Sequence, residues 1–303
     1  MKNIVFMGTP HYATCILKEL IDTGFNIQAV LTQADKPVGR KQILTPSNVK
    51  QFITERNLDI KIFTPKSLKD ENIIKDIKNL KPDFIVVAAY GKILPKSILD
   101  IAPCVNLHAS LLPKYRGASP IQSAILNGDK ISGVCTMLME EGLDSGSILE
   151  SVTCDIENKN SEEVFALFSN IAAKLCVSTL NNFQQIIPKI QDENQVTFCR
   201  KIKKEDGLIK LNDAKLIYQK FLAFYPWPGI FLENGLKFID IELINTSENQ
   251  TSGKILNIEN DGFLLGCEKG ILKIKFLQES GKKILDGKTY LNGKRLKLGN
   301  YLF

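Results

Sequence analysis

Three polar residues carry the chemistry that this sequence could perform. Asn106 and His108 lie two residues apart at the end of an apolar segment, and Asp144 lies between two glycines in the loop 142–146. Side chains two residues apart in a strand point to the same face, so the amide and the imidazole are predicted to lie side by side. Ligands of an open α/β sheet bind outside the carboxyl ends of its strands, which is where both groups fall.

An amide, an imidazole and a carboxylate together suit acyl or formyl transfer. Asn106 and His108 can stabilise a developing oxyanion. Asp144 can orient the imidazole or a water molecule and help to remove a proton. Taken alone, each residue also has a structural interpretation, because a strand-end histidine is often only a hydrogen-bonded core residue and Asp beside Gly favours a turn. Spacing alone therefore leaves both interpretations open.

Other reaction classes lose support from the same sequence. The first predicted strand runs into Gly8-Thr9-Pro10, but neither the G-x-G-x-x-G fingerprint nor a P-loop is present. The seven cysteines form no C-x-x-C pair and their number is odd, which argues against a disulfide framework and a zinc site. Only two histidines, His11 and His108, are available as ligands, so we expect no metal.

The first half of the chain alternates strand and helix signals. This alternation predicts a doubly wound, mostly parallel α/β sheet. Its predicted strands are Lys2–Met7, Asn26–Leu31, Asp59–Phe63, Asp83–Ala89, Ala102–Leu107, Gly133–Met139 and Ile148–Cys154. Its predicted helices are Tyr12–Thr23, Ser47–Arg56 with Thr45 as a cap, Leu68–Leu80, and a long helix opened by Asn160-Ser161-Glu162-Glu163.

The pattern changes after Pro188. Residues 189–207 are polar and charged and are interpreted as a linker. A helix over Lys215–Phe224 is followed by short β-rich segments, with turns predicted at 260–262, 279–281 and Asn292-Gly293. Five short strands in this space indicate a smaller, OB-like β-barrel. The predicted domains are therefore a catalytic domain over 1–188, the linker over 189–207, and a β-barrel domain over 208–303.

Charge and hydropathy limit the kinds of partner that this protein can have. The formal net charge is +6, and residues 254–303 hold ten Lys and Arg against five Asp and Glu. A basic end permits an anionic partner such as nucleic acid but does not require one. No apolar segment approaches the roughly 20 residues that span a bilayer, and the apolar N-terminal stretch is too short for a signal sequence. We expect a cytoplasmic protein with no membrane partner, and no obligate protein partner is evident.

Several ordered motifs resemble those of the folate-dependent formyltransferases. Asn106-Leu107-His108 is followed by Ser110-Leu111-Leu112-Pro113 and then by Arg116-Gly117-Ala118. The aspartate loop 142–146 is similar as well. The remaining matches, in chain order, are Phe6-Met7-Gly8-Thr9-Pro10, Ala89-Tyr90-Gly91-Lys92-Ile93-Leu94-Pro95, Lys204-Glu205-Asp206-Gly207 and Pro226-Trp227-Pro228-Gly229. The resemblance covers nearly the whole chain.

The resemblance implies residue roles and substrates. Asn106, His108 and Asp144 match the catalytic trio of the family. The implied folate-binding residues are Ser110, Leu111, Leu112, Pro113, Tyr90, Gly91, Lys92 and Ile93. Residues 33–45 resemble a loop that enters the tRNA acceptor end, with Arg40 and Lys41 at its tip. The implied reaction transfers the formyl group of 10-formyltetrahydrofolate, without a metal, to the α-amino group of methionyl-initiator tRNA in translation initiation.

Two departures from the family pattern and three rival functions remain at this stage. Leu222 stands where the family commonly has arginine, and Lys41 stands where it often has a second glycine. The nearest rival function is formyl transfer to an amino sugar nucleotide, and a formyl-folate hydrolase is another. A rival of a different class is a non-catalytic RNA-binding protein on the same scaffold. Turnover assays with the alternative acceptors would separate these functions.

Overall fold

The structure is a computed structural model that describes residues 1–39 and 41–303, which form two compact units. The first unit consists of Met1–Pro120, Ile131–Asp155 and Val164–Arg200. The second unit consists of Ile121–Lys130, Ile156–Glu163 and Lys201–Phe303. The segments 121–130 and 156–163 thus cluster with the C-terminal part of the chain, which the sequence did not predict. The domain boundaries at 188 and 207 stay a prediction.

The strands of the first unit alternate with helices along the chain. In chain order, its strands are β1 (Asn3–Gly8), β2 (Asn26–Leu31), β3 (Lys36–Val38), β4 (Ile43–Thr45), β5 (Lys61–Phe63), β6 (Phe84–Ala88), β7 (Cys104–His108), β8 (Arg116–Gly117), β9 (Ile131–Leu138), β10 (Ile148–Asp155) and β11 (Phe198–Cys199). The second unit adds β12 (Ile230–Phe231), β13 (Lys237–Asn249), β14 (Ile255–Glu259), β15 (Gly262–Gly266), β16 (Lys269–Gln278) and β17 (Leu285–Asp286).

Eight α-helices lie within the described residues. In chain order they are α1 (His11–Asp22), α2 (Asn48–Glu55), α3 (Glu71–Asn79), α4 (Lys96–Leu99), α5 (Pro120–Leu126), α6 (Ser161–Asn182), α7 (Ala214–Ala223) and α8 (Gly287–Lys294). Short 3-10 turns lie at Phe183–Gln185, Glu193–Gln195 and Lys204–Gly207. The long helix α6 and the helices of the βα repeats occur where the apolar periodicity predicted them.

A seven-stranded sheet forms the centre of the first unit. Its order is β10-β9-β7-β6-β1-β2-β5, with parallel pairing from β7 to β5 and antiparallel pairing of β9 with both β7 and β10. Every residue of β6 and β7 is buried. Continuous burial is expected of strands covered on both faces by helices. The predicted mostly parallel, doubly wound class is confirmed.

The helix α6, with the 3-10 turn after it, is long and apolar enough to cross a membrane. By the same measure, half of its most apolar window is buried inside the protein. Val164, Phe168 and Cys176 on this helix are fully buried. This burial is what a core helix of a folded domain shows, so length and composition alone say little about a membrane.

The second unit is built around antiparallel strands. Its sheet has the order β12-β13-β16-β15-β14, and β17 pairs with β16. This is the smaller C-terminal β-domain that the sequence predicted. Leu222, one of the two departures from the family pattern, lies on α7 and is only 9% exposed. It therefore packs as an apolar residue where the family has a cation.

Two local predictions were wrong, and hydrogen bonds explain both. Asn292-Gly293 was predicted as a turn, but it lies within α8, whose start is capped by the Asp286 carboxylate accepting from the Thr289 N–H at 2.8 Å. Thr45 was predicted to cap the second helix. Instead the Ser47 hydroxyl accepts from the Lys50 N–H at 3.1 Å, and Thr45 ends β4. Serine and aspartate at these positions satisfy amide groups that the helix cannot satisfy itself.

Candidate active site

His108 is the last residue of β7, and its side chain is buried at the carboxyl end of that strand. Its side chain is only 6% exposed, and its Nε2 lies 2.9 Å from the carbonyl oxygen of Tyr115. A carbonyl oxygen can only accept, so Nε2 carries the hydrogen and donates. The ring edge that remains for other partners is therefore the Nδ1 edge.

The carboxylate of Asp144 faces that edge. Its Oδ2 lies 3.6 Å from the Nδ1 of His108 and accepts a hydrogen bond from the Gly117 N–H at 2.8 Å. Asp144 has a φ of +48°, in the left-handed region that few non-glycine residues adopt. A backbone held in this region is a recurring feature of functional loops.

Asp144 reaches the site through the loop after β9, a strand that runs antiparallel to β7. Because β9 is antiparallel to β7, the residue Leu138 at its carboxyl end pairs with Val105 near the start of β7. The carboxyl end of β9 therefore lies beside the start of β7 and away from His108. The loop after β9 instead brings the carboxylate back to His108, and Gly146 passes so close to Leu138 that a Cβ on it would lie 1.8 Å from the Leu138 carbonyl oxygen.

Asn106 lies on β7 two residues before His108. It pairs with Met137 of β9 and is 8% exposed. The strand period places its amide on the same face as the imidazole. The structure thus brings together an amide, an imidazole and a carboxylate, as the sequence predicted. Such a set can donate hydrogen bonds to a developing negative charge and accept a proton beside it.

A tight turn after β7 carries the Gly117 N–H that binds Asp144. Tyr115 has a φ of +63° and Gly117 a φ of +125°. A Cβ on Gly117 would lie 2.1 Å from the carbonyl oxygen of Cys199. Only glycine fits this close approach of two backbones. The amide that orients Asp144 thus depends on a glycine.

The residues behind this turn are ones that the sequence pattern does not predict. Thr197 accepts the Tyr115 N–H on its Oγ1 at 2.8 Å and the Arg116 N–H on its carbonyl oxygen at 2.9 Å. The short strand β11 pairs in parallel with β8. These contacts involve residues 191–199, which we call the back segment. Its polar sequence was interpreted as part of a linker, and no periodicity marks it as part of the site.

The first segment that was predicted to bind folate, Ser110–Pro113, is anchored by its own turn. The Ser110 side chain is fully buried and its hydroxyl donates to the Lys114 carbonyl at 2.7 Å. Leu112 is buried in a small apolar cluster with Cys135 and Met137, against which Leu111 packs. Pro113 accepts the Thr197 N–H at 3.4 Å. The segment leaves β7 at the same edge as His108.

The second folate segment, Tyr90–Ile93, follows the neighbouring parallel strand β6. The Tyr90 carbonyl accepts from the hydroxyl of Thr9 at 3.1 Å and from the amide of Gln33 at 3.0 Å. Lys92 donates to the carbonyl oxygens of Pro65 and Lys66. Gly91 has a φ of +79°, and Ile93 is 83% exposed. The loop is thus fixed at its backbone and presents Ile93 outward.

The hydroxyl of Tyr90 has no hydrogen-bond partner within the described chain, although it is buried. Burial raises the pKa of Tyr90 to about 12. The phenol therefore stays protonated across the physiological range and can donate a hydrogen bond. An unsatisfied buried donor in this loop fits a polar ligand atom that would complete it.

The predicted tRNA loop over residues 33–45 contains a β-hairpin formed by β3 and β4. Lys41 is exposed between the two strands. Arg40, the other residue predicted to bind tRNA, lies outside the described residues. Three apolar side chains of the hairpin, Val38, Ile43 and Leu44, are more than half exposed. The hairpin therefore presents an apolar surface together with Lys41.

No group of three or more His, Cys, Asp or Glu within residues 1–39 and 41–303 is arranged to hold a metal ion. Five of the seven cysteines are buried. Burial raises the pKa of the Cys135 thiol to about 11. A thiol with a raised pKa is a poor nucleophile and a poor ligand at neutral pH.

Comparison with known sequences assigns both parts of the chain. A family model described as "Formyl transferase" matches residues 1–180, and one described as "Formyl transferase, C-terminal domain" matches residues 201–295. The chain is 78% identical over 303 residues to a protein of Campylobacter lari named methionyl-tRNA formyltransferase, and the match covers 100% of both chains.

Solved structures show the same fold at low identity. WlaRD, described as a sugar 3N-formyl transferase, superposes with a TM-score of 0.67 at 18% identity and covers 93% of this chain and 99% of its own. HypX from Aquifex aeolicus, solved in complex with tetrahydrofolic acid, superposes with a TM-score of 0.65 at 15% identity. It covers 98% of this chain, which spans only 48% of the length of HypX.

Proposed function

The chain belongs to the methionyl-tRNA formyltransferases of the formyl transferase family, and from that premise we propose the reaction and the role of each site residue. The enzyme transfers a formyl group to the α-amino group of methionyl-initiator tRNA, and 10-formyltetrahydrofolate is the donor. The observation that carries the chemistry is the contact of Asp144 with His108 beside Asn106.

The amine of the charged tRNA attacks the formyl carbon directly. As the new C–N bond forms, the formyl oxygen takes up negative charge, and we assign the Asn106 amide and the His108 ring to stabilise it. The Tyr115 carbonyl accepts from Nε2, so the ring cannot turn that nitrogen toward the substrate. The Asp144 carboxylate lies 3.6 Å from Nδ1 and helps to hold the ring in this orientation.

The proton balance closes through Asp144. The attacking amine must lose a proton, which the carboxylate accepts through a water molecule. When the bond from the formyl carbon to the folate nitrogen breaks, that nitrogen takes a proton in turn. The Gly117 N–H on Oδ2 holds the carboxylate in one orientation during both transfers. Neither a metal nor a covalent enzyme intermediate enters these steps.

The residues present fit a folate donor. Ser110–Pro113 and Tyr90–Ile93 leave adjacent parallel strands at one edge of the sheet, where ligands of such sheets bind. Leu111 and Ile93 offer apolar contact, and the unsatisfied Tyr90 hydroxyl offers a donor. We assign these two segments to the pterin part of the donor.

We assign the acceptor tRNA to two regions. Arg40 and Lys41, in the segment 33–45, would meet the acceptor end, and the C-terminal domain, residues 208–303, would contact phosphates elsewhere. Phosphate contacts add affinity with little sequence information. Residues 1–188 then form the catalytic domain and 189–207 the linker, of which the back segment also contributes contacts behind the site. We also propose a cytoplasmic location, without a membrane or an obligate protein partner.

One assay tests the function against its rivals. Purified protein is incubated with 10-formyltetrahydrofolate and either charged initiator tRNA or an amino sugar nucleotide, without added metal, nucleotide or nicotinamide. We expect formylmethionyl-tRNA. Product only on the amino sugar would overturn the acceptor and keep the formyl chemistry. Free formate without a formylated acceptor would indicate a hydrolase, and tRNA binding without any product would indicate a non-catalytic RNA-binding protein.

A further inference from the structure

A buried glutamine of the back segment is bonded to the loop that carries Asp144. Gln191 is 5% exposed. Its Nε2 donates to the carbonyl oxygens of Asp144 and of Gly146, each at 2.8 Å. Its Oε1 accepts from the Nε of Arg116 at 3.0 Å. The side chain thus uses both amide hydrogens and its oxygen within the site.

Arg116 fixes which way this amide points. An arginine Nε–H can only donate, so the oxygen of Gln191 must face it and both amide hydrogens must face the loop carbonyls. The guanidinium is held on its other side by Glu193, with the closer contact at 2.8 Å. Arg116 is 4% exposed, whereas the Glu193 side chain is 72% exposed. A chain of contacts therefore runs from the exposed Glu193 through Arg116 and Gln191 to Asp144.

The loop needs such support because its backbone is unusual. Asp144 holds a φ of +48°, and Gly146 lies against the Leu138 carbonyl. The Gly117 N–H holds the carboxylate from one side, and Gln191 holds the carbonyl of the same residue from the other. A displacement of a catalytic group by about 1 Å can cost about 10²-fold in rate. Contacts that hold this loop in place therefore also hold the Asp144 carboxylate where the proposed reaction needs it.

We propose that Gln191 is a positioning residue that sets the place of the Asp144 carboxylate during formyl transfer. The proposal rests on the function proposed above. Gln191 acts through Asp144, because its side-chain hydrogen bonds go to the loop 142–146 and to Arg116. Arg116 contributes to the same positioning, because it orients the side-chain amide of Gln191.

The experiment uses two variants of the full chain and one matched control. Gln191→Ala removes all three hydrogen bonds. Gln191→Glu keeps the shape and the contact to Arg116 but replaces the two donors by an oxygen. Gln195→Ala is the control, because Gln195 is exposed and donates to Asp192. We expect both Gln191 variants to lower kcat about tenfold or more, with KM for folate and tRNA within about twofold of wild type.

A double-mutant cycle separates positioning from general structural support. In an Asp144→Ala background, Gln191→Ala should change the residual kcat less than about twofold, because the group that it positions is gone. If the two losses multiply instead, Gln191 acts independently of Asp144 and the proposal is wrong. A normal kcat in Gln191→Glu would also overturn it, because shape alone would then suffice.

A second measurement does not depend on turnover. The chain has two histidines, so their ring signals can be followed by NMR. At one fixed pH, the His108 signals of Gln191→Ala should move toward those of Asp144→Ala, whereas the His11 signals should stay in place. Unmoved His108 signals would overturn the proposal even if turnover fell. Moved signals in a protein that makes no formylated product would instead reject only the proposed function.

Discussion

The two units of the molecule differ in how many polar groups they bury. Of the twelve buried polar or charged residues among those described, only Ser161 belongs to the second unit. Five of the others lie in or directly behind the candidate active site: Asn106, His108, Ser110, Arg116 and Gln191. In the second unit, cations are paired with carboxylates near the surface, as Lys275 is with Glu242.

This difference indicates what each unit can do. A buried polar group costs free energy unless it is hydrogen-bonded, so a concentration of such groups is retained where they serve a reaction. Exposed ion pairs contribute little to stability and can exchange one partner for another. The first unit therefore holds the concentration of buried polar groups on which the proposed chemistry depends, and our proposal assigns contact with the anionic tRNA to the second.

The largest expected effect tests whether the buried trio performs the chemistry. Asp144→Ala should lower kcat by about 10²–10³, as the loss of a transition-state contact commonly does. Asn106→Ala and His108→Ala should act similarly, while binding of folate and tRNA changes less. Asp59→Asn is a matched control, because Asp59 is exposed. Near-normal kcat in a folded Asp144→Ala protein would remove the chemical basis for the contrast between the units.

The second effect tests how closely the site is packed. Gly117→Ala would place a Cβ 2.1 Å from the Cys199 carbonyl oxygen, so we expect a loss of about 3 kcal/mol or more in the free energy of unfolding. Gly24→Ala is the control, because Gly24 also has a positive φ but meets no atom within 4 Å. It should cost about 1–2 kcal/mol. Thermal unfolding measures both. Equal losses would mean that backbone strain alone, and not the contact with Cys199, requires the glycine.

Much of the fold was predictable because it follows local rules. The fully buried strands β6 and β7 appear as continuous apolar segments, and the βα alternation predicts the parallel part of the sheet. The trio was predictable by type, because Asn106 and His108 share one strand and Asp144 lies in a glycine-bounded loop. The motifs that resemble a known family indicated the reaction, which the spacing of the residues alone could not indicate.

The remaining parts depend on contacts between distant residues. The direction of β9 is not encoded in its apolar pattern, so the route of the Asp144 loop could not be predicted. The role of the back segment depends on pairing between residues about 80 apart in sequence, such as Tyr115 and Thr197. Polar residues such as Gln191 show no periodicity that separates a buried hydrogen-bonding side chain from an exposed linker. Helix α8 was missed because a single cap at Asp286 outweighed the turn signal of Asn292-Gly293.

A third prediction concerns a property that the two units share. Burial raises the pKa of the Cys104 thiol in the first unit and of the Cys267 thiol in the second, each from an ordinary 9.0 to about 12. The unfolded chain loses these protons near the ordinary pKa, while the folded chain keeps them. Their stabilising contribution is therefore complete below about pH 9 and is lost as the pH rises toward about 12.

Each thiol should cost up to about 1.4 kcal/mol of stability per pH unit in that window. Thermal unfolding at about pH 8 and about pH 10 measures the loss. Cys104→Ala and Cys267→Ala should both start from a lower Tm and then lose less over the interval than wild type. A flatter response in only one of the variants would show that the thiols of the two units are not equally buried.

The smallest expected effect concerns the basic residues of the second unit. Six of them are candidates for contact with tRNA phosphates: Lys273, Lys275, Lys282, Lys283, Lys294 and Arg295. The structure divides this set. Lys273 lies 2.8 Å from Glu259 and 2.7 Å from Asp261, with its side chain 12% exposed, and Lys275, Lys282 and Lys294 each contact a glutamate. Lys283 and Arg295 have no carboxylate partner in the part of the chain that the structure describes.

An unpaired cation can release counterions from a phosphate without first giving up a carboxylate. Lys283→Ala combined with Arg295→Ala should therefore weaken tRNA binding severalfold and lower the salt slope by about 1–2. Lys282→Ala combined with Lys294→Ala is the matched control, because it removes the same charge from two lysines that share Glu279. Binding of initiator tRNA is measured at several salt concentrations for both double variants. If the control lowers the slope equally, only net charge matters and the ion pairs leave their lysines available to phosphate. If neither variant changes the slope, the positive charge of the second unit is only solvated surface, and tRNA must be held elsewhere.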